Sequence, residues 1–222
     1  MIKFLILGFF VIFTAHAAPY KIHAPQNLSL EEGASLLKSH VEASLFLGTN
    51  SFTLDKGNNK AKDNSHINGD FIILWGVGSN ATDQQITKTE YQNMWRIMDY
   101  LNDLNFRVIM NVRSTSSDLA TALQSSTASV VLYSSHGNET GFYDYNLTMV
   151  PYSIFKKLGP KLYQFILSAC YGTQSLEYYE VPEHLYTLSW SGLTDSTDLI
   201  NYLTSNHWTG LEGKENLKTE KK

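Results

Sequence analysis

From residue 70 onward, short apolar runs alternate with longer stretches in which apolar residues recur every three or four positions. The runs cover 70–75, 106–112, 129–134, 164–169 and 185–190, and each reads as a buried strand. Between them, 86–104, 115–126, 151–159, 173–179 and 194–206 read as helices, several opened by Thr, Ser, Asp or Pro in the first turn. Such alternation predicts an α/β fold over residues 70–209, a mostly parallel sheet of about five or six strands with helices on both faces. Residues 138–150 break the pattern with aromatic and β-branched residues around Asp144 and Asn146, and read as a hairpin or lid. No internal repeat is visible.

The chain before residue 70 reads differently. Lys3 precedes the apolar run from Phe4 to Phe13, and Ala15-His16-Ala17 follows as a small-residue cleavage pattern, so residues 1–17 read as a signal peptide. That run is about half of what a bilayer core needs, which disfavours an anchor. The expected mature protein is secreted or periplasmic, with no membrane contact after cleavage. In the 18–69 segment, residues 28–46 carry helical periodicity behind Ser29 with Glu32 three residues on, the pattern of a capping box, and read as a peripheral amphipathic helix. Residues 49–69, rich in Asn, Lys, Gly and Asp, read as an exposed mobile loop where a zymogen would be cut. Residues 210–222 read as a charged tail.

Composition adds limits. The 222 residues are 43% hydrophobic and 17% charged, with a formal net charge of −4, as in an ordinary globular protein. Only Arg96, Arg107 and Arg113 supply guanidinium groups, so the basic footprint of a nucleic-acid binder is missing. Cys170 is the single cysteine, so an intramolecular disulfide is impossible, and an exported lone thiol is either a buried apolar filler or a used one.

Position favours use. In an open α/β sheet ligands sit outside the carboxyl ends of the strands. There the run through Ser134 and Ser135 delivers His136-Gly137, and the run through Ser168 and Ala169 delivers Cys170-Tyr171-Gly172. Thiol chemistry needs a thiolate, an imidazole to protonate the leaving group, and N–H donors for the oxyanion. His136, Cys170 and the backbone N–H groups of Gly137 and Cys170 supply that set, and a helix beginning at Cys170 would favour the thiolate. Glu139 and Asp144 are candidates for the acid that orients His136.

Two motifs, VVLYSSHG and FILSACYG, resemble those of the caspase-like cysteine peptidase superfamily, which includes legumains and gingipains. The order of elements over about residues 70–192 is similar as well, and HGNETG looks like the gingipain form of its loop. This resemblance implies a caspase-like three-layer sandwich and a cysteine endopeptidase acting on peptide or protein substrates through Cys170 as nucleophile and His136 as proton donor, with Gly137 and Cys170 amides as oxyanion hole and no cofactor. By the family's layout, Ser168, Ser189, Trp190 and Ser191 would line the substrate side. The chain departs from caspases in having Ser168 where they place Gln, and from metacaspases in having Ala169 where they place an acid, so neither Asp nor basic specificity is carried over. The alternative is a catalytically silent protein that uses the same cleft to hold a peptide or protein partner.

Weaker signals lead elsewhere. Gly76-Val77-Gly78 lacks the third glycine of a dinucleotide loop and reads as an ordinary strand-to-helix turn, with a flavodoxin-like nucleotide binder as the reading it would otherwise support. His23, His40, His66, His184 and His207 share no ligand spacing, so no metal site is expected. Asn27, Asn80, Asn138 and Asn146 each open an Asn-x-Ser/Thr triplet.

Overall fold

The computed structural model describes residues 20–24, 28–47, 51–55, 68–76, 86–205 and 208–218. The expected leader at 1–17, residues 49–50 and 56–67 of the expected 49–69 loop, residues 77–80, Asn27, His207 and the last four residues of the tail lie outside the described residues, His66 among them.

All five expected strands form: β3 (Asp70–Trp75), β4 (Arg107–Val112), β5 (Ala128–Ser134), β8 (Gln164–Ser168) and β9 (Tyr186–Ser189). They are mutually parallel and lie in the order β4-β3-β5-β8-β9. Strands β3, β5 and β8 are buried along their whole length, which is why their sequences read as unbroken apolar runs. On β3, Phe71, Ile73 and Trp75 enter the core under one face, while Ile72 and Leu74 enter the core under the other. Helices α1 (Leu30–Leu47), α2 (Lys88–Asp103) and α5 (Ser196–Leu203) cover the first face. Helix α3 (Ser116–Leu123) and the chain around Phe142, Phe155 and Tyr179 cover the second. The result is an α/β fold with a layer on each side of a mixed sheet.

The N-terminal segment corrects two expectations. Residues expected to be mobile loop include β2 (Ser51–Asp55), which pairs antiparallel with β4 and carries β1 (Tyr20–His23) parallel on its outer side, making a sheet of seven strands. Phe52 is buried, and the alternation Ser-Phe-Thr-Leu-Asp is too short to stand out within a segment otherwise rich in Asn, Lys, Gly and Asp. Helix α1 is not peripheral. Its Leu37 is fully buried, and a Cβ on Gly33 would fall 2.1 Å from the Trp95 indole of α2, so the two helices approach as only glycine permits. Ala24, Ala34, Leu37, Val41 and Phe52 therefore belong to the core under the first face rather than sitting apart from it.

Capping follows the sequence closely. Thr87 with Glu90, Thr115 with Asp118, and Asp195 with Asp198 form reciprocal boxes that start α2, α3 and α5, and Ser29 with Glu32 does the same for α1. The helix expected at 151–159 is only the short 3-10 turn Ile154–Lys156. A Cβ on Gly159 would fall 1.9 Å from the Ser125 carbonyl, and the Gly159 N–H donates to the Leu123 carbonyl, so the chain is pinned to the end of α3 instead of coiling on. Helix α4 (Gly172–Leu176) is likewise shorter than expected, and none of the helices among the described residues is long and apolar enough to cross a membrane.

Candidate functional site

Strands β5 and β8 are neighbours, and their last residues, Ser134 and Ser168, are paired in register. The Ser135 N–H donates to the Ser168 carbonyl at 3.0 Å, which carries the pairing one step past the strands. His136 and Cys170 each stand two residues beyond that matched pair, side by side at the carboxyl ends of adjacent strands. Contact between the segments is backbone to backbone: a Cβ on Gly137 would lie 2.6 Å from the Cys170 carbonyl oxygen and 3.0 Å from the Ala169 Cβ. Glycine after His136 is thus a steric requirement of the site. His136 is exposed and Cys170 half-buried, so both are within reach of a solute.

A hairpin fixes the approach of His136. Strands β6 (Gly137–Asn138) and β7 (Gly141–Phe142) pair antiparallel, and the Tyr143 N–H donates to the His136 carbonyl at 2.9 Å. That bond makes His136 and Tyr143 the hydrogen-bonded pair, so Gly137 and Phe142 form the alternate one and the Gly137 N–H faces away from β7. Asn138 closes the turn, its Oδ1 accepting from the N–H groups of Thr140 and Gly141 and its Nδ2 donating to the Tyr143 hydroxyl at 2.7 Å. Under the hairpin, Phe142 stacks on Tyr179 at 4.7 Å, and the Tyr179 hydroxyl donates to the Val150 carbonyl. Burial pushes the Tyr179 phenol up to about 12, in keeping with that donor role.

The Asp144 carboxylate is taken up by the start of α3 and its own turn. It accepts from the Ser116 N–H and hydroxyl and from the N–H groups of Asn146 and Thr148, so it ties the start of α3 to the 144–148 turn. Glu139 stands exposed at the tip of the hairpin.

Past Cys170 the chain turns sharply, with Tyr171 in the left-handed region (φ 57°) before α4 begins. Residues 189–194 wrap this turn. The Tyr171 N–H donates to the Gly192 carbonyl, the Thr173 N–H to the Trp190 carbonyl, and Gln174 Nε2 to the Ser191 carbonyl. The Cys170 thiol itself donates to the Thr194 carbonyl at 3.7 Å. Of the residues expected on the substrate side, Ser191 is exposed beside this turn, and Ser189 meets the Thr173 hydroxyl at 3.0 Å. Ser168 is buried as the last residue of a central strand, and the Trp190 ring meets Tyr202 of α5 edge-on at 6.0 Å, against the first core. Gly192 and Thr194 were not legible as site residues, because only the folding of 189–194 over α4 brings their carbonyls to Cys170 and Tyr171.

Two other features bear on alternatives. The Gly76 N–H donates to the Ser134 carbonyl at 2.7 Å, so the first amide of the loop after β3 is held by the sheet and not offered to a phosphate. No cluster of three or more His, Cys, Asp or Glu suited to a metal ion occurs among the described residues. No protein-family model matches the chain, and no curated protein matches it significantly.

Proposed function

We propose that the chain is an exported cysteine endopeptidase with a caspase-like fold, working through Cys170 and His136. The observation that carries this reading is the backbone contact of Gly137 with Cys170 at the ends of the paired strands β5 and β8. The strand order β4-β3-β5-β8-β9 is the doubly wound order 2-1-3-4-5, shared by folds of several functions, so the strand-end residues and not the sheet decide the assignment.

In the proposed reaction the Cys170 thiolate attacks the scissile carbonyl carbon, and the Gly137 and Cys170 N–H groups bind the resulting oxyanion. His136 gives its proton to the departing amine as the C–N bond breaks, leaving a thioester on Cys170. Water then attacks the thioester, His136 takes its proton, and the acid and free enzyme are released. Ser189 and Ser191 line the substrate side in this scheme, and Glu139 is the acid that could approach His136.

A second reading has one observation in its favour: the thiol contact with the Thr194 carbonyl suits a structural cysteine in a silent scaffold that holds a peptide. The two separate in the pH profile of Cys170 alkylation by iodoacetamide, run with His136→Ala alongside. Titration well below the free-thiol value of about 8.5, altered by loss of His136, supports the peptidase and should accompany peptide hydrolysis that Cys170→Ala abolishes. An inert thiol, or hydrolysis that survives Cys170→Ala, rejects it.

A further inference from the structure

The covering of the second face ends in a patch that the proposed reaction does not use. Tyr152 and Tyr178 are stacked with ring centroids 6.2 Å apart, yet they are 39% and 55% exposed. Met149 lies exposed beside them, its sulfur 3.8 Å from the Tyr152 hydroxyl. Large side chains left open together in this way mark a binding surface more than they mark a core.

The patch is built onto the hairpin that carries His136. The Tyr152 hydroxyl donates to the Thr140 carbonyl at 3.3 Å, and the Met149 sulfur lies 3.0 Å from where a Gly141 Cβ would stand. Thr140 is only four residues past His136, at most about 14 Å of chain. A polypeptide lying across His136 and Cys170 could reach the patch within a few residues.

Its chemistry is that of a cation receptor. Exposed Glu177 and Glu180 flank Tyr178 in sequence, and the two tyrosines offer ring faces that attract ammonium and guanidinium groups. The chain's own Lys156 already sits 3.8 Å from Glu180, in a pair whose side chains are 63% and 73% exposed. Such exposed pairs are weak, so an incoming cation can replace Lys156. Glu177 and Glu180 give the patch a negative sign, and a basic polypeptide is its complementary partner.

We infer that Tyr152, Tyr178, Glu177 and Glu180 form an exosite for a Lys- or Arg-bearing stretch of polypeptide, which, on the peptidase reading above, belongs to the substrate. The test uses the full chain carrying Cys170→Ala, so that nothing is cleaved, and follows the anisotropy of a labelled alternating Lys-Ala peptide against a Glu-Ala one. The Lys-Ala peptide should bind, more weakly as salt rises, and the triple change Tyr178→Ser, Glu177→Gln, Glu180→Gln should weaken it about tenfold, whereas Tyr178→Phe should not. Glu31→Gln with Glu32→Gln on α1, an equally acidic but distant place, should leave binding unchanged. Equal binding of both peptides, no effect of the triple change, or an equal loss from the α1 change would overturn the exosite. Because Cys170 alkylation is read separately, an absent exosite with a reactive thiol and a present exosite with an inert one are distinct results.

Discussion

The strand pair β5–β8 and the strand pair β1–β2 belong to one sheet and obey different rules. Strands β5 and β8 are buried on both faces, so each residue contributes to burial and register is held by matched apolar contacts along the whole strand. Strand β2 is five residues long, buries Phe52 and is held by ladders to β4 on one side and β1 on the other. A site that needs two side chains aligned past their strand ends belongs where register is most strongly specified, and His136 and Cys170 stand there.

The largest test of this contrast is alkaline pH, since the tyrosines that burial disturbs most lie in the central layers. Burial raises Tyr133 and Tyr163, and pushes Tyr91 and Tyr179 up to about 12. An acid whose folded pKa is raised keeps its proton while the unfolded chain loses it from about pH 10, so stability falls above that pH. Absorbance at 295 nm and circular dichroism should therefore report these phenols ionising together with cooperative unfolding between about pH 10 and 12. Smooth ionisation with the fold intact would contradict the burial.

Core truncations sharpen the contrast. Phe165→Ala on β8 removes a fully buried ring packed edge-on to Phe155 at 5.0 Å, and should cost about 4–5 kcal/mol in urea unfolding. Phe52→Ala on β2, one strand in from the sheet's margin, should cost about 3 kcal/mol, because the thinner packing there can collapse around the loss. Equal costs would mean that β1–β2 is as integral as the centre.

At the site itself, Gly137→Ala places a methyl group against the Cys170 carbonyl, and that oxygen belongs to backbone with little room to yield. We expect about 1–3 kcal/mol of destabilisation together with a shifted pH profile of Cys170 alkylation. A stable variant with an unchanged profile would show that the two segments are not coupled. The smallest effect should come from Ser29→Ala, which removes the hydroxyl that accepts from the Glu32 N–H at the start of α1, for about 0.5–1 kcal/mol by thermal unfolding.

Much of this was legible in the chain. Five parallel strands, three of the helix starts after residue 70 and the placement of His136 and Cys170 follow from apolar runs, capping residues and the rule that chemistry collects at strand ends. The misreadings share one cause: each depended on a contact between residues far apart in sequence. Strand β2 needed β4, α1 needed the indole of Trp95 against Gly33, and the helix expected at 151–159 gave way to the approach of Gly159 to Ser125.

What the amino-acid order determined by itself was local periodicity and the residue types delivered at each strand end, because burial on both faces and helix capping act over a few neighbouring positions. Tertiary structure alone decided the seven-stranded mixed sheet, the packing of Trp190 on Tyr202 and the approach of the Thr194 carbonyl to the thiol, because each is a contact between segments that no local pattern specifies.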